Sequence, residues 1–125
     1  MAETETEAYL AEMQGKRGYT LDFHRIMAGV DMEWTRKYDA FVEATYYDQR
    51  TLDRKTKELL QIVVEAALRA DVEQIRAHVR LALEAGATPQ EVLEALQCVI
   101  APMGALAFRR GLQAWDAECG DRVRG

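Results

Sequence analysis

Glu58, Gln61, Glu65 and Arg69 recur at steps of three and four, which places them on one face of a helix. The residues between them are apolar: Leu59, Leu60, Ile62, Val63, Val64, Ala66, Ala67 and Leu68. Further along, His78 stands at helical spacing from Ile75, Val79 and Ala82, on the apolar side of its own segment. An imidazole beside a carboxylate exchanges protons near neutral pH, because its ordinary pKa is about 6.5. If the two segments form a helical hairpin, Glu58 or Glu65 can supply that carboxylate. The same residues also fit a structural role. The stripe would then be the solvated edge of a buried helix, and His78 a core histidine with satisfied ring nitrogens.

Other polar residues are candidates for supporting parts. His24, among Phe23, Ile26 and Met27, could close a pocket from the N-terminal side. Arg69 and Arg80 carry guanidinium groups suited to hold a substrate carboxylate. Cys98 has no cysteine or histidine at a ligand-like offset and reads as a small packing residue. Cys98 and Cys119 form no metal or redox spacing, so both are expected as free thiols in a reducing compartment. Two widely separated histidines make a poor transition-metal site. Neither a glycine-rich phosphate loop nor a Gly-x-Ser-x-Gly elbow occurs. No cofactor and no metal are expected.

The elements that must carry these groups are all helices. Tyr9, Leu10 and Met13 share one side of a first short helix, interrupted by Gly15 and Gly18. A second spans Tyr19 to Met27. Asp31 caps a third, with Trp34, Tyr38, Phe41 and Val42 expected inward. Asp53 is the N-cap of the fourth helix, whose apolar residues cover most of its circumference. A domain this small has few places to bury such a helix, so contact between copies of the chain is expected. Asp71 with Gln74, and Thr88 with Glu91, have the form of capping boxes opening a fifth and a sixth helix. Gly86 suits the left-handed closing position, and Pro89 the first helical position. The sixth helix is expected to bury Val92, Leu96, Val99 and Ile100. Pro102 and Gly104 break the chain before a seventh, from about Ala105 to Trp115, with Phe108, Leu112 and Trp115 inward. The last residues read as frayed.

Composition narrows the class. The chain has 125 residues, 49% hydrophobic and 30% charged, which fits one globular domain over residues 1–125. A net charge of -5 argues against nucleic acid and against an anionic membrane surface as partners. No run is long enough to span a bilayer, and the acidic start Met1-Ala2-Glu3-Thr4-Glu5-Thr6-Glu7 lacks the basic and apolar regions of a signal peptide. A cytoplasmic location is the expectation.

Two stretches carry a resemblance. Leu52-Asp53-Arg54-Lys55-Thr56-Lys57-Glu58-Leu59-Leu60 and the block from Ala77-His78-Val79-Arg80 through Ala85-Gly86-Ala87-Thr88-Pro89-Gln90-Glu91-Val92 together resemble the carboxymuconolactone decarboxylase family, which includes the alkylhydroperoxidase D group. The matched core covers about residues 38–115, with residues 1–37 as a helical extension. The resemblance implies an all-α fold whose central hairpin buries itself in a homotrimer or homohexamer. It also implies a small-molecule pocket at subunit contacts, with the family glutamate and histidine at Glu58 and His78. The redox branch of that family carries Cys-x-x-Cys-x-x-x-His, and here Asp71 and Gln74 stand where the cysteines belong. A dithiol peroxide cycle needs a thiolate and a resolving thiol, so that chemistry has no support. Three readings follow: a decarboxylase-like lyase using Glu58 and His78, with Glu65, His24, Arg69 or Arg80 assisting; a divergent thiol antioxidant using Cys98; and a non-catalytic oligomer that binds a ligand in the same pocket.

Overall fold

The computed structural model describes residues 2–124, which form two compact units that part between Asp48 and Gln49. Every regular element among the described residues is a helix.

The first unit holds α1 (Ala2–Arg17), α2 (Asp22–Val30) and α3 (Met32–Val42), the last continued by one π-helical turn, Glu43–Tyr47. Tyr9, Leu10 and Met13 are buried as their spacing requires, and they pack with Ala28 and Met32. Helix α1 runs through Gly15 and ends at Gly18, whose φ of 86° is the left-handed conformation that favours glycine. Asp31 caps α3 by accepting from the Trp34 amide at 3.0 Å. The inner face of α3 differs from the expected one. Thr35 and Asp39 are buried, whereas Trp34 and Phe41 are exposed. The cause is a buried ion pair: Asp39 is held by Arg17 and accepts from Tyr9 Oη at 2.6 Å. Satisfying that carboxylate turns the Thr35–Asp39 side inward and leaves the aromatic side out.

The second unit holds α4 (Arg54–Ala67), α5 (Val72–Glu84), α6 (Pro89–Gln97), the short α7 (Ile100–Met103), α8 (Ala105–Trp115), a π-helical turn Asp116–Gly120 and a final turn α9 (Asp121–Arg124). The last segment is therefore helical rather than frayed. Asp53 caps α4 through the Thr56 amide at 2.7 Å, and Thr88 with Glu91 forms the expected reciprocal capping box. Ile62, Ala66, Ile75, Val79, Val92, Leu96, Val99, Ala107 and Ala114 share one core. Ile100 instead lies exposed, one residue beyond that inward run. Gly111 is needed where α8 crosses the others: a Cβ there would lie 2.3 Å from Leu96 Cδ2 and 3.3 Å from Ala66 Cβ. That close approach explains why Ala107, Gly111 and Ala114 form the buried side of α8, with Phe108 and Leu112 only partly covered. Trp115 is buried and its indole N–H donates to Pro89 O at 2.8 Å. Within the single chain α4 keeps an uncovered apolar side: Leu60, Val64 and Leu68 are 52%, 54% and 76% exposed. No helix among the described residues is long and apolar enough to cross a membrane.

Candidate active site

Helices α4 and α5 form the antiparallel hairpin on which the polar residues meet. Glu58 and Glu65 are seven residues apart on α4, two turns or about 10.5 Å along the axis. That gap accepts one imidazole lengthwise. His78, from the facing side of α5, fills it: Nδ1 lies 2.7 Å from Glu58 Oε1, and Nε2 lies 3.3 Å from Glu65 Oε2. All three side chains are buried, with residue exposures of 2% for Glu58, 7% for Glu65 and 4% for His78. The histidine therefore has both carboxylates as partners, one at each ring nitrogen.

Each carboxylate is fixed by a different neighbour. Arg54, one turn before Glu58, donates from Nε to Glu58 Oε2 at 2.6 Å. Glu65 Oε2 accepts from Gln61 Nε2 at 2.9 Å and from Gln74 Nε2 at 3.2 Å. Asp71 caps α5 as expected, accepting from the Gln74 amide at 2.9 Å. The Gln74 side chain does not complete a capping box, because its amide reaches back across the hairpin to Glu65. Glu65 Oε1 is buried without a hydrogen-bond partner. Burial lifts the Glu65 carboxyl above the usual carboxylate range, and His78, Gln74 and Gln61 offset only part of that effect.

An imidazole nitrogen donates when it carries hydrogen and accepts when bare, so His78 can exchange hydrogen bonds with a carboxyl at each end of its ring. The row ends at Arg54, whose guanidinium holds Glu58.

The remaining candidates take other positions. Arg69 follows the end of α4 and is exposed, with a φ of 57°. Arg80 turns toward Glu118, 3.8 Å away, a carboxylate that also accepts from Arg76 Nε at 2.7 Å. Cys98 is exposed at the end of α6, its Sγ 3.4 Å from Glu94 O, and Cys119 is buried. His24 belongs to the first unit, where Nε2 faces Arg17 Nη1 at 2.8 Å and Nδ1 faces the Leu21 amide at 2.9 Å. No group of three or more histidine, cysteine, aspartate and glutamate side chains suited to a metal ion occurs among the described residues. Two functional contacts escape the sequence reading, those of Arg54 and of the Gln74 amide. The i,i+4 spacing of Arg54 and Glu58 is a signal for the first.

A helical hairpin carrying a buried Glu–His–Glu row defines the class as an all-α protein with a sheltered polar cluster. The chain belongs to the carboxymuconolactone decarboxylase family, whose sequence model matches residues 32–117. Among solved structures it is similar to a protein of Burkholderia xenovorans LB400 provisionally described as a carboxymuconolactone decarboxylase. The TM-score is 0.77 at 20% identity, over 100% of this chain and 98% of that one. That likeness shows the fold. No curated protein matches the sequence.

Proposed function

We propose that this protein is a small-molecule lyase of the decarboxylase type, acting on a carboxylated, lactone-like substrate. The observation that carries the reading is the buried Glu58–His78–Glu65 row with a single unpartnered oxygen, Glu65 Oε1. Decarboxylation breaks the bond between the substrate's carbon skeleton and its carboxylate carbon. Carbon dioxide leaves, and the electron pair stays on the skeleton, delocalised into the lactone carbonyl as an enolate. A proton must then form the new C–H bond. Glu65, whose carboxyl burial lifts above the usual carboxylate range, is the donor. His78, after taking up a proton from solvent, passes one back to Glu65 from Nε2 and returns to its neutral form, while Glu58, held by Arg54, orients the ring through Nδ1. Membership of the family supports the reaction class.

The reading includes self-association as a homotrimer or homohexamer. The uncovered Leu60–Val64–Leu68 stripe supports it, since three neighbouring apolar side chains on one helix side gain most by meeting a second copy. Light scattering of the purified protein tests this part, and a monomer at micromolar concentration removes it.

The chemical test is release of carbon dioxide from carboxymuconolactone by the wild type, His78→Ala and Glu65→Gln. Turnover that falls at least about 100-fold in both variants supports the reading. Unchanged turnover in His78→Ala removes the histidine from the mechanism. A wild type that is stabilised thermally by the lactone yet leaves it unchanged is a binding protein instead.

A further inference from the structure

We infer that the groove between the α4–α5 turn and the start of α8 is a binding site for a small organic anion, bearing a carboxylate or a phosphate group. The groove has a volume of about 360 Å³ and is lined by Arg69, Val72, Leu106, Arg109, Arg110 and Gln113. That volume suits a small ligand. Three of its six lining residues are arginines, in a chain whose net charge is -5.

The groove arginines combine convergence with a lack of acidic partners. Of the nine other arginines, Arg17, Arg25, Arg36, Arg54, Arg76, Arg80 and Arg124 each lie within ion-pair range of an acidic side chain, and Arg50 and Arg122, which show no such pair among the described residues, are not among the residues lining the groove. Arg69, Arg109 and Arg110 form no such pair among the described residues, although they converge on one concavity. Like charges gathered without a counter-ion repel, and an oxyanion relieves that repulsion by accepting from several guanidinium groups at once. Val72 and Leu106 are in the first turns of α5 and α8, so the positive ends of two helices of eleven or more residues border the same space.

The backbone at Arg69 is an independent sign. Four described residues have positive φ: Gly18, Gly86, Gly104 and Arg69. Three are the glycines that such turns favour. At the fourth, φ is 57° and the amide donates to Ala66 O at 3.0 Å in the closing turn of α4. An arginine there costs conformational energy that glycine avoids, and such strain gathers where a side chain is needed for binding. The Val72 and Leu106 side chains offer apolar wall for a short carbon skeleton, and Gln113 adds an amide.

The test is a calorimetric titration of the full chain with inorganic phosphate and, separately, with adipate. Wild type, Arg109→Ala, Arg110→Ala and, as a control outside the groove, Arg50→Ala are compared at fixed ionic strength. The expected result is saturable binding of at least one probe, weakened about tenfold or more by each groove variant and unchanged by Arg50→Ala. A response to phosphate alone assigns a phosphorylated ligand, and a response to adipate alone a carboxylate. No saturable binding of either probe up to about 10 mM, or equal binding by all four proteins, overturns the inference. None of Glu58, Glu65 and His78 lines the groove, so His78→Ala, compared at a temperature where it is folded, binds the anion as the wild type does. Loss of binding in that variant would assign the anion to the row and likewise overturn the groove.

Discussion

Replacing His78 by alanine separates a working proton row from an ordinary buried histidine. The imidazole stands between two carboxylates that are 2% and 7% exposed, and it touches both. Its removal takes away a short hydrogen bond to a charged group at Glu58, worth about 1.5–3 kcal/mol. It also leaves Glu65 Oε2 without its ring partner and opens a cavity. Breaking a buried pair by deleting one member costs about 3–5 kcal/mol. Set against a total stability of about 5–15 kcal/mol, the variant still folds, with a melting temperature lower by roughly 10–20 °C. The loss also carries a pH signature. Burial raises the Glu65 pKa and His78 offsets part of that effect, so without the imidazole the Glu65 carboxyl favours its protonated form more strongly. A group whose folded pKa is raised stabilises the fold below its unfolded pKa, and that contribution is lost as pH rises through the folded value. Acidification from pH 7 toward 5 therefore recovers part of the stability of His78→Ala, and adding Glu65→Gln recovers it at pH 7. Urea denaturation across that range is the assay. A cost below about 1 kcal/mol that is flat with pH would refute the sandwich.

Three further outcomes follow from the same structure. Glu65→Gln abolishes the stability decline of the wild type as pH rises above the ordinary carboxylate range, because burial raises the Glu65 pKa and an amide has no proton to lose; a denaturation series from pH 4 to 8 measures it. Arg69→Gly removes a left-handed arginine and stabilises the fold by about 1 kcal/mol in urea titration, the conformational relief slightly exceeding glycine's entropy cost. His24, whose pKa is lowered by burial and by Arg17, stays neutral in the fold, so stability held above its ordinary pKa falls as pH drops below about 6.5; His24→Gln flattens that slope in the same assay.

The helices were legible because caps and turn glycines act locally. Asp53, Asp71, Thr88 and Gly86 take the roles their neighbours in sequence assign to them. The pairing of Glu58 with His78 was legible once a hairpin was assumed, since both lie on inward-facing sides. What escaped depends on longer-range competition. Asp39 and Arg17 are 22 residues apart, and their burial overrode the aromatic periodicity of α3. Gln74 had two partners within reach, its own helix cap and Glu65. A sequence pattern cannot rank them, because the choice turns on the cost of leaving a buried carboxylate unsatisfied. The choice between the two glutamates dissolved for a geometric reason: an imidazole has two nitrogens on opposite edges, and two helical turns leave room for both to be used.

Asp71 and Gln74, in the places of the paired cysteines, have one more consequence. The row from Arg54 to Gln74 is built from nitrogen, oxygen and carbon alone, so it holds no atom that hydrogen peroxide readily attacks or an alkylating reagent seeks out. A relative that works through sulfur must be regenerated by a reductant after every cycle, and it stalls when that supply fails. A row that acts as proposed above regains its starting state by taking a hydrogen ion back from water, and its side chains are the same in reducing and oxidising surroundings.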